Sequence, residues 1–254
     1  MPNDPDELIT AAERAPIEGW DFSWLDGRAT EERPPWGYTR MVVPRLERAR
    51  AVLDVQTGGA EVFAEVLDRA TQRPGTIAAT ESWAPNRALA TERLKRFRGT
   101  VAAATDDGPL PFGSGALDLV ISRHPVMTRW DEVARVLDRD GHYFAQHVGP
   151  ETNRELTEFV MGPQQPGDAR APERAVAEAA ANGLELVDLR QVSLRVDFSD
   201  VGAVVYFLRK VIWTVPDFTV ERYRDRLVDL HARIRDDGVF TSHAQRFLIE
   251  LRKR

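Results

Sequence analysis

Residues 51–60 read Ala51-Val52-Leu53-Asp54-Val55-Gln56-Thr57-Gly58-Gly59-Ala60. The first five residues are a short apolar run of the kind that forms a buried strand, and the two glycines favour a tight turn. An amphipathic stretch follows, with Val62, Phe63, Val66 and Leu67 on one side. The segment therefore predicts a strand, a turn and a helix.

The same pattern recurs further along the chain. Because strands and helices alternate at this spacing, the sequence favours an α/β fold with a parallel sheet covered by helices on both faces. Short strands are predicted at 76–80, 100–104, 117–122 and 143–146, and helices at 85–97 and 130–137.

The flanking regions differ in character. Residues 1–40 are rich in proline, tryptophan and acidic residues, and we interpret them as an N-terminal cap on a main domain of residues 41–254. Apolar and polar residues alternate over 192–198, which is typical of a strand at the edge of a sheet. Residues 200–244 combine an apolar helix with an amphipathic one, and we expect this helical insert to act as a lid with Trp213 in its core.

The composition excludes several classes of protein. The chain of 254 residues has no cysteine, so disulfide scaffolds, zinc ribbons, iron–sulfur sites and thiolate nucleophiles are ruled out. Its 34 basic and 40 acidic side chains argue against nucleic-acid binding, which needs concentrated positive charge. No apolar run approaches the roughly 18 residues of a membrane span, and the acidic first residues are unlike a signal peptide. We therefore expect a cytoplasmic protein with no membrane partner.

Several motifs of other enzyme classes are absent from the sequence. The nicotinamide dinucleotide fingerprint would need glycine where the chain has Gln56 and Glu61. No P-loop, serine-hydrolase elbow, zinc-protease motif or calcium loop is found. No residue pattern demands a metal ion.

Side chains able to bind ligands follow the predicted strands. The first three strands end in acidic residues, which are Asp54, Glu81 and the pair Asp106-Asp107. Ser122-Arg123-His124 ends the fourth strand and Gln146-His147 ends the fifth. Because the carboxyl ends of parallel strands meet at one edge of a sheet, we expect a ligand site there. Acidic residues without a phosphate loop suit a ligand that has a ribose, an adenine and a cationic centre.

Five segments match the motifs of one enzyme family in order and spacing. Residues 52–60 are similar to V-L-D-x-G-x-G-x-G, and Glu81 occupies the place of a ribose-binding acid. Residues 106–112 are similar to D-A-x-x-L-P-F and residues 117–120 to F-D-x-V. Residues 135–141 are similar to R-V-L-K-P-G-G. Over about residues 35–150 the chain thus resembles the class I S-adenosylmethionine-dependent methyltransferases, in the small-molecule branch related to ubiquinone and menaquinone methyltransferases. The resemblance implies a Rossmann-like fold with a mostly parallel seven-stranded sheet and an antiparallel C-terminal strand.

The resemblance also implies S-adenosylmethionine as cofactor and S-adenosylhomocysteine as product. Asp54 would approach the methionine amino group, Glu81 would bind the ribose hydroxyls, and Asp106 would accept a hydrogen bond from the adenine amino group. Tyr38 would contact the methionine carboxylate, and Gly58 would let the backbone approach the cofactor. The full implied set of cofactor-binding residues is Tyr38, Asp54, Gln56, Gly58, Glu81, Ser82, Asp106, Asp107 and Ser122.

The loop departs from the family pattern at two positions. Gln56 replaces the first glycine of the motif and Ala60 replaces the third. We expect these residues to keep the backbone out of the conformations that glycine adopts readily. We also expect the Gln56 side chain to enter the site.

His124 is the candidate catalytic residue, as a base that takes a proton when the methyl group arrives. A capping or surface histidine is an equally good interpretation of its position. Aromatic residues of the insert would form a wall against the acceptor. The predicted substrate-binding residues are Arg123, His147, Tyr206, Arg209 and His243.

The sequence therefore favours methyl transfer to an O, N or C atom of a small molecule, by a protein that we expect to be soluble and able to form a homodimer. Two alternatives stay open. One is a degenerate methyltransferase-fold protein that binds the cofactor weakly or not at all and does not methylate. The other is an RNA methyltransferase that uses residues 205–254, where 11 basic and 7 acidic side chains lie.

Overall fold

The computed structural model describes residues 4–17 and 21–254, which form two compact units. Residues 34–149, 168–192 and 246–254 form the first, which we name the sheet unit. Residues 4–17, 21–33, 150–167 and 193–245 form the second, which we name the helical unit.

The secondary structure follows the predicted alternation of strands and helices. In chain order the elements are α1 (Pro5–Arg14), β1 (Ala29–Glu31), α2 (Tyr38–Leu46), β2 (Ala51–Asp54), α3 (Glu61–Arg69), β3 (Thr76–Glu81), α4 (Ala84–Lys95), β4 (Thr100–Ala103), β5 (Leu117–Arg123), α5 (Trp130–Val136), β6 (Leu137–Val148), α6 (Arg154–Met161), α7 (Pro172–Ala181), β7 (Leu184–Phe198), α8 (Val201–Lys210), α9 (Val220–Asp237) and β8 (Phe240–Lys253).

The strands belong to one sheet of order β1-β7-β8-β6-β5-β2-β3-β4. Neighbouring strands from β6 to β4 are parallel, whereas β8 is antiparallel to β6 and β1 is antiparallel to β7. The predicted α/β class and the antiparallel C-terminal strand are confirmed. The sheet has eight strands where seven were predicted, because β1 is only three residues long and too short to produce a recognisable sequence pattern.

Strand β2 shows how the sheet builds two apolar layers. Val52 packs in a cluster with Phe63 of α3 and Leu94 of α4. Leu53, the next residue, packs in a second cluster with Trp130 and Val133 of α5. Successive side chains of a strand point to opposite faces, so an uninterrupted apolar run produces a sheet that is covered on both sides.

Two of the segments that resemble family motifs hold the strands in place. Arg135 donates hydrogen bonds to the carbonyl oxygens of Leu110 and Phe112, each at 2.8 Å. Asp118 accepts the backbone N–H of Ala51 at 2.8 Å, at the first residue of β2. These residues fix the loop after β4 and the start of β2, so their role is structural.

The helical unit has an apolar core of its own. Ile9 of α1, Val205 and Tyr206 of α8 and Leu227 of α9 are buried together. Helix α8 begins at Asp200, whose carboxylate accepts the backbone N–H of Ala203 at 2.9 Å. This cap satisfies one of the amide groups that every helix leaves unpaired at its start.

The division of the chain differs from the one predicted at residue 40. Residues 34–40 belong to the sheet unit, because Trp36 and Tyr38 are buried in its core. The insert at 200–244 lies wholly in the helical unit, together with residues 150–167. Its function as a lid stays a prediction.

Two local expectations were wrong. The strand over 192–198 does not lie at the sheet edge, because β1 pairs with it and places Ala29 opposite Phe198. Trp213 is 47% exposed, whereas we expected it in the core. It follows the last residue of α8 in a short turn segment, outside the helical pattern that suggested its burial.

Candidate ligand-binding site at the strand ends

The structure places the predicted acidic residues along one edge of the sheet. Strands β5, β2, β3 and β4 are adjacent and parallel, so their carboxyl ends meet there. Asp54 is the last residue of β2 and Glu81 the last of β3, while Asp106 follows β4. All three therefore lie on the side of the sheet where open α/β proteins bind ligands.

The loop after β2 keeps a glycine-like backbone without its glycines. Gln56, Gly58 and Ala60 have φ values of 56°, 62° and 61°, so every second residue is left-handed. Our expectation that Gln56 and Ala60 would exclude such conformations was therefore wrong. The backbone N–H of Thr57 donates to the carbonyl oxygen of Thr80 at 2.9 Å and holds the loop against β3. Each non-glycine residue in this conformation costs about 1–2 kcal/mol.

The Gln56 side chain joins the loop after β2 to the loop after β5. Its amide nitrogen donates to the carbonyl oxygen of Met127 at 2.8 Å. Its amide oxygen accepts the backbone N–H of Val126 at 2.7 Å. The side chain thus uses donor and acceptor together and forms a bridge between two loops that line the same cleft.

Asp54 is a buried carboxyl group with one close partner. The Thr57 hydroxyl donates to it at 2.5 Å. Burial raises the pKa of Asp54 to about 7, and the nearby Glu81 carboxylate adds to this, while the Thr57 hydrogen bond and the charge of Arg123 oppose it. Near neutral pH the group is therefore close to half protonated. A cationic ligand group beside it would favour the ionised form.

Glu81 is held by backbone amides at both oxygens. Gly58 donates to Oε2 at 2.8 Å and Trp83 donates to Oε1 at 2.9 Å. Burial raises the pKa of Glu81 and these two hydrogen bonds oppose the rise. Each carboxylate oxygen can accept a further hydrogen bond, so the fixed group can still receive two hydroxyls. A Cβ at Gly58 would meet no atom within 4 Å, so this stretch of backbone faces open space.

A cleft of about 420 Å³, counting the part open to solvent, lies at these strand ends within the sheet unit. Asp106, Tyr143 and Ser122 line it, and Ser122 is buried and donates from its hydroxyl to the Val55 carbonyl at 2.7 Å. The other lining residues include Gln56, Thr80, Gly108, Leu110, Met127 and Arg129.

The remaining predicted cofactor residues lie beside this cleft with different exposure. Asp107 and Ser82 are exposed, and the Asp107 carbonyl accepts a hydrogen bond from Arg129. Trp83, next to Ser82, is 49% exposed and offers an aromatic face to solvent. Tyr38 is buried, and its hydroxyl donates to the Ser122 carbonyl at 3.0 Å.

His124 belongs to a chain of three hydrogen-bonded side chains. The Trp36 indole N–H donates to Oε1 of Gln146 at 2.8 Å, and Nε2 of Gln146 lies 2.7 Å from Nε2 of His124. Burial lowers the pKa of His124 well below its ordinary value, and the charges of Arg123 and Arg246 lower it further. The imidazole is therefore neutral at physiological pH.

His147 is a buried histidine of the core. Its Nε2 lies 3.0 Å from the Tyr143 hydroxyl, and its ring stacks on Phe247 with centroids 4.7 Å apart. Burial lowers the pKa of His147 to about 3. The side chain fills the apolar layer beneath the strands, and its hydrogen bond supports Tyr143 at the cleft.

The three predicted substrate residues of the helical unit have structural partners there. Tyr206 is 2% exposed, stacks on Trp24 and donates to the Asp21 carbonyl at 3.1 Å. Arg209 donates to the carbonyl oxygens of Ala12 and Ala15 at the end of α1, the latter at 3.1 Å. His243 pairs with Glu155 at 2.6 Å.

Sequence reasoning gave no role to Trp36, Thr57 or Arg129. Trp36 and Gln146 are 110 positions apart, so no local pattern could connect them. Thr57 was part of the quoted loop, but only the fold brings its hydroxyl onto Asp54. The sequence signal for this contact was a hydroxyl residue three positions after an acid at a strand end.

Known structures share this architecture at low sequence identity. The chain is similar to a proposed methyltransferase of Bacillus halodurans, with 15% identity, a TM-score of 0.59, and coverage of 85% of this chain and 96% of that one. An S-adenosylmethionine-dependent methyltransferase of Mesorhizobium loti has 11% identity and a TM-score of 0.51, with coverage of 86% and 97%. The cyclase SpnF has 16% identity and a TM-score of 0.52, with coverage of 99% and 93%. No protein-family model and no curated protein matches the sequence.

The chain therefore has the Rossmann-like fold of the class I S-adenosylmethionine-dependent methyltransferases. The quinone-type branch stays a prediction. Within residues 4–17 and 21–254, no helix combines the length and the apolar character that crossing a membrane requires. Over the same residues, no three histidine or acidic side chains cluster as metal ligands would.

Proposed function

We propose that this protein is an S-adenosylmethionine-dependent methyltransferase that acts on a small-molecule acceptor at an O, N or C atom. The observation that carries the proposal is the loop of residues 56–60. It keeps three left-handed residues, directs the Gly58 N–H to Glu81, and leaves open space beside Gly58. Gln56, the first residue of this loop, also lines the cleft at the strand ends.

The residues around the cleft fit the parts of this cofactor. Glu81 offers fixed carboxylate oxygens to the ribose hydroxyls, and Asp106 offers an acceptor to the adenine amino group. The exposed ring of Trp83 provides a stacking surface for the adenine. Asp54 would bind the amino group of the methionine moiety, whose positive charge favours its ionised form.

Methyl transfer demands little further chemistry from the protein. The sulfonium group of the cofactor supplies an activated methyl group when it is bound. The chain has to align the acceptor with that group and exclude water, and such positioning accounts for much of the rate. A site without a catalytic triad is therefore compatible with the proposed reaction.

Charge favours a small acceptor over RNA. The chain carries a net charge of −6, and the cleft is lined by Asp106 as well as by Arg129. Basic residues of the C-terminal segment are paired with acids, as in Arg224 with Asp6 and Arg252 with Glu185. Methylation of RNA would instead need unpaired positive charge, and its rate would fall steeply as salt is raised.

The alternative of a fold member that does not methylate is favoured by one observation. The Gln56 bridge to Val126 and Met127 spans two loops of the cleft. If this bridge blocks the cofactor, Gln56→Gly should create S-adenosylhomocysteine binding where the wild type has none. If the bridge is compatible with the cofactor, both proteins should bind.

The proposal is tested by calorimetric titration with S-adenosylmethionine and S-adenosylhomocysteine. We expect micromolar binding by the wild type and a loss of at least about tenfold in Glu81→Ala and in Asp106→Ala, because each removes hydrogen bonds to a charged group. Glu65→Ala is the matched control, since Glu65 is a partly exposed acid on α3 that pairs only with the surface residue Arg69.

Absence of heat with millimolar ligand would contradict the proposal, as would equal weakening by the Glu65→Ala control. An acceptor screen with the wild type would then be replaced by a search for other ligands of the cleft. The cytoplasmic location and the homodimer stay predictions, to be checked by fractionation and by sedimentation.

A further inference from the structure

The turn after β5 places a histidine next to an arginine. His124 has a φ of 60°, so the chain leaves the strand through a left-handed residue. The His124 backbone N–H donates to the carbonyl oxygen of Gln146 at 2.7 Å, which fixes this turn against the end of β6. Both the backbone and the ring of His124 are thus bound to the same residue of a neighbouring strand.

The protonation of the His124 ring follows from the donor-only nature of tryptophan. Trp36 Nε1 can only donate, so the Gln146 atom that faces it must be the carbonyl oxygen. The Gln146 amide nitrogen then faces His124 Nε2 and donates to it. A ring nitrogen that accepts a hydrogen bond carries no proton, so the remaining proton of the neutral imidazole is on Nδ1.

The Nδ1–H group is available to a ligand. Among the residues that the structure describes, no hydrogen-bond partner of Nδ1 is recorded, and the buried unpaired side-chain atoms are only Arg28 Nη1 and Asn153 Oδ1. Within the described residues, Nδ1 therefore keeps its proton free for a ligand. This leaves His124 as a donor rather than as a base, because its one accepting nitrogen is already engaged by Gln146.

Arg123 adds a positive charge beside this donor. Its side chain is exposed and makes no hydrogen bond or ion pair within residues 4–17 and 21–254. Arg123 is the last residue of β5, which pairs with β2, and its charge acts on His124, on Tyr38 and on the buried carboxyl of Asp54 at the end of β2. The charge of Arg246 also acts on His124.

We propose that Arg123 and the His124 Nδ1–H bind a carboxylate of the methyl acceptor, and that Gln146 and Trp36 position His124 for this by fixing its tautomer. A planar guanidinium matches a carboxylate through two parallel hydrogen bonds, and a neutral N–H donor completes the recognition of the anion. The inference rests on the proposed function, because it assigns the class of acceptor to the same site. The carboxylate of the cofactor has the same chemistry, so the experiment has to separate the two sources.

The first experiment titrates the protein with benzoate, and with benzamide as the neutral counterpart, in the absence and presence of saturating S-adenosylhomocysteine. We expect benzoate to bind and benzamide to bind at least about tenfold more weakly. Retention of benzoate binding in the saturated protein supports an acceptor site. Displacement by S-adenosylhomocysteine would assign the pair to the cofactor carboxylate and overturn the inference.

Matched variants test the arginine. Arg123→Gln should weaken benzoate binding at least about tenfold, and Arg123→Lys should restore part of it, since it keeps the charge but loses the planar fork. Arg69→Gln is the control, because Arg69 is a surface residue of α3 paired with Glu65. Equal affinity of wild type and Arg123→Gln would overturn the assignment.

The positioning role of Gln146 is tested by the near-isosteric Gln146→Glu. A carboxylate at this position accepts from both neighbours, so His124 should move its proton to Nε2 and lose the Nδ1 donor. The ¹³C and ¹⁵N chemical shifts of the labelled His124 ring should report this change, and benzoate affinity should fall with it. Trp36→Phe is the second variant, which frees the Gln146 amide to rotate and should give a mixture of tautomers.

A wild-type ring with its proton on Nε2, or unchanged shifts in both variants, would overturn the inference. These measurements need no methyl transfer. If S-adenosylhomocysteine binds but benzoate does not, the inference fails and the proposed function stands; if benzoate alone binds, the proposed function fails.

Discussion

The loop after β2 and the helix α8 were both expected to contribute to function, and they differ in how their side chains are used. In the loop, Thr57 donates to Asp54 and Gly58 donates to Glu81, so one loop holds the acids at the ends of both β2 and β3. In α8, Tyr206 and Arg209 are bonded to backbone carbonyls of the N-terminal segment. The first set fixes the acids at the strand ends, and the second attaches a helix to a core.

Spacing along the chain was therefore a better guide to the site residues than residue type. The strand-end residues were chosen because their positions along the chain place them at one sheet edge, which the topology then provides. Tyr206 was chosen because it is aromatic and Arg209 because it is charged. Aromatic and charged residues can equally well have a structural role. Tyr206 is 2% exposed, which places it in the core of the helical unit.

The largest effect should come from the core of the helical unit. Tyr206→Ala should lower the free energy of unfolding by about 3–5 kcal/mol, because a buried ring is removed from a packed site. Tyr206→Phe should cost only about 1 kcal/mol for the lost hydrogen bond to Asp21. Urea unfolding measures both changes. A weaker affinity for the acceptor in Tyr206→Phe, at unchanged stability, would show that Tyr206 binds substrate. It would contradict the structural role that we assign to α8.

A pH-dependent effect should come from Asp54. Its folded pKa of about 7 lies above the ordinary aspartate value, so the folded state binds this proton more tightly than the unfolded state. The stability it contributes is fully present below about pH 4 and is lost as pH rises through 7, to a total of about 4 kcal/mol.

Unfolding of the wild type and Asp54→Asn at pH 4 and pH 8 measures this loss. The other titrating groups are common to both proteins and cancel in the comparison. The wild type should lose stability relative to Asp54→Asn as pH rises. A constant difference between the two proteins would show that Asp54 is ionised throughout.

An intermediate effect should come from Arg209. Arg209→Met keeps the aliphatic stem but removes the donors to Ala12 and Ala15, which should lower the free energy of unfolding by about 1.5–3 kcal/mol. Affinity for S-adenosylhomocysteine should not change. Arg226→Met is the control, since Arg226 is exposed on α9 in the same unit. Comparable losses in the two variants would mean that the carbonyl contacts contribute nothing specific.

The smallest effect should come from Ala60→Gly. Relief of the left-handed strain offsets the loss of a buried methyl group, so stability should change by less than about 0.5 kcal/mol. Ala90→Gly is the matched control, because Ala90 is equally buried but lies within the ordinary helix α4. It should cost about 1.5–2 kcal/mol. Equal losses at both positions would show that Ala60 is not strained.

Part of the fold and site could be predicted because local patterns specify them. The apolar run over 51–55 produces β2, and the strand-end acids Asp54 and Glu81 follow from where each run stops. The backbone of the loop could not be predicted. Substitution by Gln56 and Ala60 suggested a distorted turn, whereas the hydrogen bonds to β3 and the bridge to Met127 hold it in the left-handed form.

The order of strands and helices and the acidic edge of the sheet can thus be predicted from local patterns, since both depend on periodicity and on the position of polar residues after apolar runs. The link from Trp36 through Gln146 to the His124 ring, and the packing roles of Tyr206 and Arg209, depend on the three-dimensional fold. These contacts join residues about a hundred or more positions apart. Their direction depends on how strands and helices pack in space, which no local pattern encodes.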